Sequence, residues 1–142
     1  MPSVRKSVLV PHCASKMFGL VERVEDYPSF LPWCGGAVVH ERSPTGMVAT
    51  VRIDFKGLKQ SFTTVNVHEP DRSIRIQLRE GPFTQLEGLW QFTALTATAC
   101  KVEFSLDYQF AGALLSRALS PVFDQIAASF VDAFVRRADA GG

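Results

Sequence analysis

Few residues in this chain have both a type and a spacing that could do chemistry alone. The histidines, His12, His40 and His68, are scattered, and Cys13, Cys34 and Cys100 form no CxxC pair. His12 beside Cys13 offers two adjacent ligating side chains, but a zinc site takes four ligands at set spacings. His12 therefore reads as a strand-end histidine and the cysteines as reduced thiols, with no metal site. Glu103 and Asp107 are the nearest thing to an acid–base pair. They alternate with apolar residues in one strand-like run, so they read as solvated outer-face charges, as do Arg75 and Arg79. No nucleophile elbow, zinc-protease helix, P-loop or dinucleotide fingerprint occurs. What the sequence does offer is apolar surface carrying a few polar donors. The run "YPSFLPWC", Tyr27 to Cys34, holds three large aromatics, one leucine and two prolines in eight uncharged residues. Loops are usually polar because they run over the surface. Two prolines four apart keep this one out of a helix interior or a central strand.

The elements around that run are legible from periodicity. "SVRKSVLV" reads as a strand with Val4, Val8 and Val10 on one face, and "ASKMFGLVERV" as an amphipathic helix through Ala14, Met17, Phe18, Val21 and Val24. Asp26 is the expected cap of a further short turn. The period then becomes two. Met47, Ala49, Val51, Ile53 and Phe55 share one face, then Ile74, Ile76 and Leu78, and most cleanly Cys100, Val102, Phe104, Leu106, Tyr108 and Phe110. Weaker strands are "GAVVHER", "QSFTTVNVH" and "TQLEGLWQF", separated by turn signals such as "SPTG", "KGLK" and "EPDR". From about Ala113 to Arg137 the helical period returns, with Leu115, Leu119, Val122, Phe123, Ile126, Phe130 and Phe134 in one stripe. Pro121 predicts a kink or restart there, with Ser120 as cap.

One sheet with one polar face needs an apolar element against the other. The fold class expected is α+β: a curved seven-stranded antiparallel sheet wrapped around the long C-terminal helix. The 142 residues suit a single domain, 1–142, with 46% hydrophobic residues and 11 Phe to fill a wide interior. The 15 Lys and Arg against 14 Asp and Glu give no general footprint for DNA or for an anionic membrane. No run of about 18 apolar residues predicts a membrane span, and no signal peptide opens the chain, so the cytoplasm is the expected compartment.

The runs "VEDYPSFLPWCGGA", "EGPFTQLEGLWQF" and "PVFDQIAASFVDAFVRRA" together resemble the coenzyme Q-binding, START-like family of the polyketide cyclase/dehydrase-like superfamily. Its bacterial branch includes ribosome-association toxins. The likeness extends from Val4 to Ala138 and implies the helix-grip fold. It also implies a bound ligand in place of a catalytic cofactor: ubiquinone or a similar hydrophobic lipid, carried without turnover in support of respiration. On that reading Tyr27, Phe30, Leu31 and Trp33 form an apolar rim stiffened by Pro28 and Pro32. The Tyr27 and Tyr108 hydroxyls, or the Trp33 and Trp90 indoles, donate to the quinone ring. Phe123, Ile126 and Phe130 line the space beneath the helix. The alternative for the loop is a plug that closes the core, and for the helix stripe a filled core. Weak, reversible contact with the inner membrane follows from the carrier reading. The toxin branch implies instead a protein that binds the large ribosomal subunit and blocks subunit joining, through cations such as Lys56, Lys59, Arg75, Arg79, Arg136 and Arg137. Related helix-grip enzymes imply a cyclase, which would need buried acid–base groups that the sequence does not display.

Overall fold

The computed structural model describes residues 3–141. In chain order it contains β1 (Ser3–Val10), α1 (Ala14–Glu22), a 3-10 helix (Val24–Ser29), β2 (Cys34–Ser43), β3 (Gly46–Phe55), β4 (Leu58–Glu69), β5 (Ser73–Glu80), β6 (Phe83–Thr96), β7 (Ala99–Phe110) and α2 (Ala113–Asp139). Strands β2 to β7 form an antiparallel meander, and β1 pairs with β7, giving a seven-stranded sheet of order β1-β7-β6-β5-β4-β3-β2. This is the expected α+β helix-grip arrangement.

Alternation decides which residues enter the core. On β7, Cys100, Val102, Phe104, Leu106, Tyr108 and Phe110 are all buried, as the period of two requires. Glu103 and Asp107 lie on the outer face, where Arg5 meets Asp107 at 3.0 Å and Lys101 meets Glu103 at 3.9 Å. β3 buries Met47, Ala49, Val51 and Ile53. On β6 a register shift between Phe83 and Gln85 lets Phe83 and Leu86 both face inward, ahead of Gly88, Trp90 and Phe92. The turn before β6 needs a glycine: Gly81 has φ +152°, and a Cβ there would lie 2.7 Å from that of Phe62.

α2 runs unbroken through Pro121, so the expected restart does not occur. Ser120 is not a cap; its carbonyl accepts a hydrogen bond from the Tyr108 hydroxyl at 3.2 Å. The C-terminal half of α2 carries the buried stripe of Phe123, Ile126, Ala127, Val131, Ala133, Phe134 and Ala138, packed against β7, β1 and α1. Its end is tied down: Lys16 Nζ donates to the Ala138 carbonyl at 3.0 Å, and His12 Nε2 lies 2.7 Å from Asp139 Oδ1. The first turns are more open, with Leu114 81% exposed. One 18-residue window of α2 reaches a mean hydropathy of 1.3, enough in length and composition to cross a bilayer, which corrects the expectation of no such stretch. The sheet and α1 packed on this helix make it the core helix of the fold.

Candidate functional site

The proline-aromatic run has a simple local construction. α1 ends at Glu22, and the chain tightens into the 3-10 helix containing Pro28. That helix starts at Val24, so Asp26 lies within it and does not cap it; Asp26 instead lies 3.5 Å from Arg23. The Tyr27 carbonyl accepts from the N–H groups of Phe30 (3.2 Å) and Leu31 (2.9 Å), and the Leu31 carbonyl from Cys34 N–H at 3.0 Å. Asp54 N–H donates to the Trp33 carbonyl at 2.8 Å, fastening the loop to β3. Arg42 of β2 clamps the same segment through Glu22 at 2.8 Å and Glu25 at 2.5 Å. That guanidinium holds the Glu25 carboxyl below its usual pKa. The result is an inward-folded loop. Pro28 and Pro32 are exposed, while Leu31 and Trp33 are only 2% and 3% exposed. The run is therefore a lid with Leu31 and Trp33 facing the core and Tyr27 and Phe30 half-buried at its edge, because large apolar side chains gain most when turned inward.

Beneath this lid lies a cavity of about 70 Å³ lined by Val24, Tyr27, Leu31, Trp33, Ala49, Val51, Phe62, Thr64, Asn66, Ile76, Trp90, Phe130 and Phe134. It sits between the lid, the C-terminal half of α2 and the inner face of β3 to β6. The Trp33 and Phe130 rings stack at 4.9 Å, closing it between lid and helix. Tyr27 meets Phe134 edge-on at 5.4 Å, and Trp90 meets Phe134 at 5.3 Å. In this state the space is well below the roughly 300–1,000 Å³ of a small-molecule pocket. Among the described residues, no carboxylate, histidine or cysteine lines it.

The sequence-predicted residues divide. Tyr27, Leu31, Trp33, Trp90 and Phe130 come together around the cavity. Phe30 packs outside it, on Tyr27 and Phe134, with the Arg137 guanidinium 5.1 Å from its ring centre. Tyr108, Phe123 and Ile126 do not line it. Tyr108 and Phe123 belong to a second aromatic cluster with Phe83 and Phe110, where Tyr108 and Phe123 lie 4.6 Å apart. Nor are the tyrosine hydroxyls free to serve a ligand. Tyr27 donates to the Val21 carbonyl at 2.5 Å, and the single Tyr108 hydroxyl proton is shared between the Asp124 carboxylate and the Ser120 carbonyl. Burial pushes both phenols well above their usual range, with Asp124 adding to the effect at Tyr108. Among the described residues, the buried side-chain polar atoms without a partner are Trp33 Nε1 and His68 Nε2. The cations expected to meet RNA sit on three separate elements: the β3–β4 hairpin, the outer face of β5 and the last turn of α2.

The polar column Thr64, Asn66 and His68 on the inner face of β4 was not anticipated. In "TTVNVH" the valines suggest the opposite facing, yet Val67 is exposed and Asn66 buried. The signal lies in the preceding turn. Lys56 and Gly57 both have positive φ (50° and 84°), as a two-residue hairpin requires. Such a turn fixes the register, setting Thr64 opposite Ala49 and Asn66 opposite Met47. Residues directly opposite share a face, so the apolar face of β3 carries β4's polar residues inward. Thr64 Oγ1 donates to Asn66 Oδ1 at 2.9 Å.

Comparison with known proteins agrees with this geometry. Residues 10–135 match the family described as polyketide cyclase/dehydrase and lipid transport. The ribosome association toxin RatA of Pseudomonas aeruginosa is 44% identical over 135 residues, covering 95% of this chain and 94% of that protein. The mitochondrial coenzyme Q-binding protein coq10 of Schizosaccharomyces pombe is 27% identical over 139 residues, covering 94% and 85%. The crystal structure of the Zhui aromatase/cyclase from Streptomyces sp. R1128 superposes with a TM-score of 0.86 at 18% identity, covering 97% of this chain and 93% of that one. At that identity the likeness concerns the fold.

Proposed function

This chain belongs to the polyketide cyclase/dehydrase and lipid transport family, and from that premise we propose that it holds an apolar ring-bearing molecule, an isoprenoid quinone such as ubiquinone, without turning it over. The observation that carries the reading is the apolar cavity closed between lid and α2 by the Trp33–Phe130 stack. Among the described residues the wall holds no carboxylate, histidine or cysteine, and its one phenol, Tyr27, donates to the Val21 carbonyl, which favours binding over catalysis. A whole quinone needs more room than about 70 Å³, so entry requires the stack to part and the helix to shift. Each tail methylene then buried contributes about 0.8 kcal/mol. The coq10 relative supports the same ligand class. Organic extraction of protein purified from a ubiquinone-producing host, followed by mass spectrometry, tests it. Near-stoichiometric quinone is expected; an empty extract together with no uptake from quinone-loaded liposomes overturns the reading.

A second reading rests on the 44% identity to RatA: association with the large ribosomal subunit. Its test is co-sedimentation with 50S particles across a salt series. An electrostatic contact weakens as salt rises, and pelleting that ignores salt contradicts it.

A further inference from the structure

Trp33 carries an unmet obligation. Its indole Nε1 is a donor only, it is buried, and among the described residues nothing accepts from it. The ring is not free to seek another partner. Its backbone carbonyl is held by Asp54 N–H at 2.8 Å, its face is stacked on Phe130 at 4.9 Å, and the residue is 3% exposed. Buried donors are almost always paired, because an unpaired one forfeits its hydrogen bond to water. Trp33 is also part of the cavity wall. The other hydrogen-bonding groups of that wall narrow the choice of what completes it. The Tyr27 hydroxyl is committed to Val21. Asn66 Oδ1 accepts from Thr64 with one of its two lone pairs, and its amide N–H2 adds a second donor to the wall. Among the described residues, no cation lines the space to balance an anion.

We propose that the Trp33 indole N–H is the ligand's hydrogen-bond donor, so that the cavity selects neutral rings bearing a carbonyl acceptor over pure hydrocarbons and over anions. This rests on the cavity being a ligand site, and it adds the group that recognises the ligand and the chemistry recognised. Asn66, from a different element, supplies the second donor, which suits a ring with more than one carbonyl.

The experiment uses two probes of matched shape, menadione with two ring carbonyls and 2-methylnaphthalene with none. Binding to the wild-type chain and to Trp33→Phe is measured by equilibrium dialysis, and the melting temperatures of both apo proteins are recorded. Phe keeps a ring against Phe130 but removes part of the indole's bulk together with the donor, and 2-methylnaphthalene, which cannot accept a hydrogen bond, reports the loss of bulk alone. Menadione affinity is expected to fall about tenfold in the variant while 2-methylnaphthalene stays within about twofold. The apo variant loses packing as well as the donor, so its melting temperature serves to show that it is folded. Equal losses for both probes, or none for either, overturn the assignment while leaving the cavity as a binding site. If wild type binds neither probe, this inference and the cavity reading fall together. Should Trp33→Phe not fold, the ¹⁵N–¹H indole resonances of the wild type decide, assigned with Trp90→Phe. Menadione is expected to move the Trp33 indole proton downfield and slow its solvent exchange, and an unmoved signal under saturating menadione refutes the donor role.

Discussion

Truncating Phe130 separates a pocket wall from a filled core. A fully buried Phe→Ala change costs about 3–5 kcal/mol. Phe134 meets that condition: it is 2% exposed, with the rings of Tyr27, Phe30 and Trp90 at 5.4, 5.3 and 5.3 Å. Phe130 is only partly buried, and its main partners are Trp33 at 4.9 Å and Phe104 at 5.6 Å. Discounting for that exposure, and allowing roughly 0.5–1.5 kcal/mol for the stack, Phe130→Ala should cost about 2–3 kcal/mol. In a domain of this size that lowers Tm by roughly 5–10 °C. The same change removes the ring that closes the cavity against Trp33, so decylubiquinone should associate several-fold faster than with wild type. Urea titrations give the stabilities, and stopped-flow quenching of tryptophan emission gives the association rate. If Phe130→Ala is as costly as Phe134→Ala and association is unchanged, Phe130 is ordinary core and the entry route argued from the stack is wrong.

Burial lowers the His68 imidazole pKa from its ordinary 6.5. The unfolded chain therefore takes up a proton near pH 6.5 that the folded chain refuses, so stability is complete above that pH. It declines as pH falls toward the depressed folded value, then levels off. Urea midpoints at pH 7.5 and 5 should show the loss, and His68→Leu should shrink it; an identical decline in the variant assigns it to other groups. Tyr108→Phe removes the hydroxyl that bridges to Ser120 and Asp124 of α2. It should cost about 1–2 kcal/mol in thermal melts with no change in quinone affinity, because Tyr108 is not in the cavity wall; a tenfold loss of affinity would contradict the site geometry. Gly81→Ala places a Cβ 2.7 Å from that of Phe62 at φ +152°, and should destabilise by about 1–3 kcal/mol. A neutral result would show that the β5–β6 turn can relax.

Much of the fold is written locally. The alternation from Cys100 to Phe110 became a strand with that face buried, and the stripe Phe123, Ile126 and Phe134 became the buried face of α2. A period of two or of 3.6 leaves a chain only one way to hide its apolar side chains. Pro121 shows the limit of local rules. The Tyr108 hydroxyl grips the helix on either side of it, at Ser120 and Asp124, and packing carries α2 through a residue that would end an isolated helix.

By itself the sequence determined the elements, the inward faces of β3, β5, β7 and α2, and the aromatic content of the space between sheet and helix. It also held the family likeness. Only the tertiary structure decided which aromatics meet. Trp33 and Phe130 are nearly a hundred residues apart, and their stack depends on where the lid crosses α2. Register, passed from β3 through a two-residue turn, sent Thr64 and Asn66 inward and the neighbouring valines out. Hydrogen bonds from the lid back to α1 and from β7 to α2 engaged the tyrosine hydroxyls and left the Trp33 indole without a partner among the described residues. A donor's partner is a matter of position in space, and composition along the chain does not contain it.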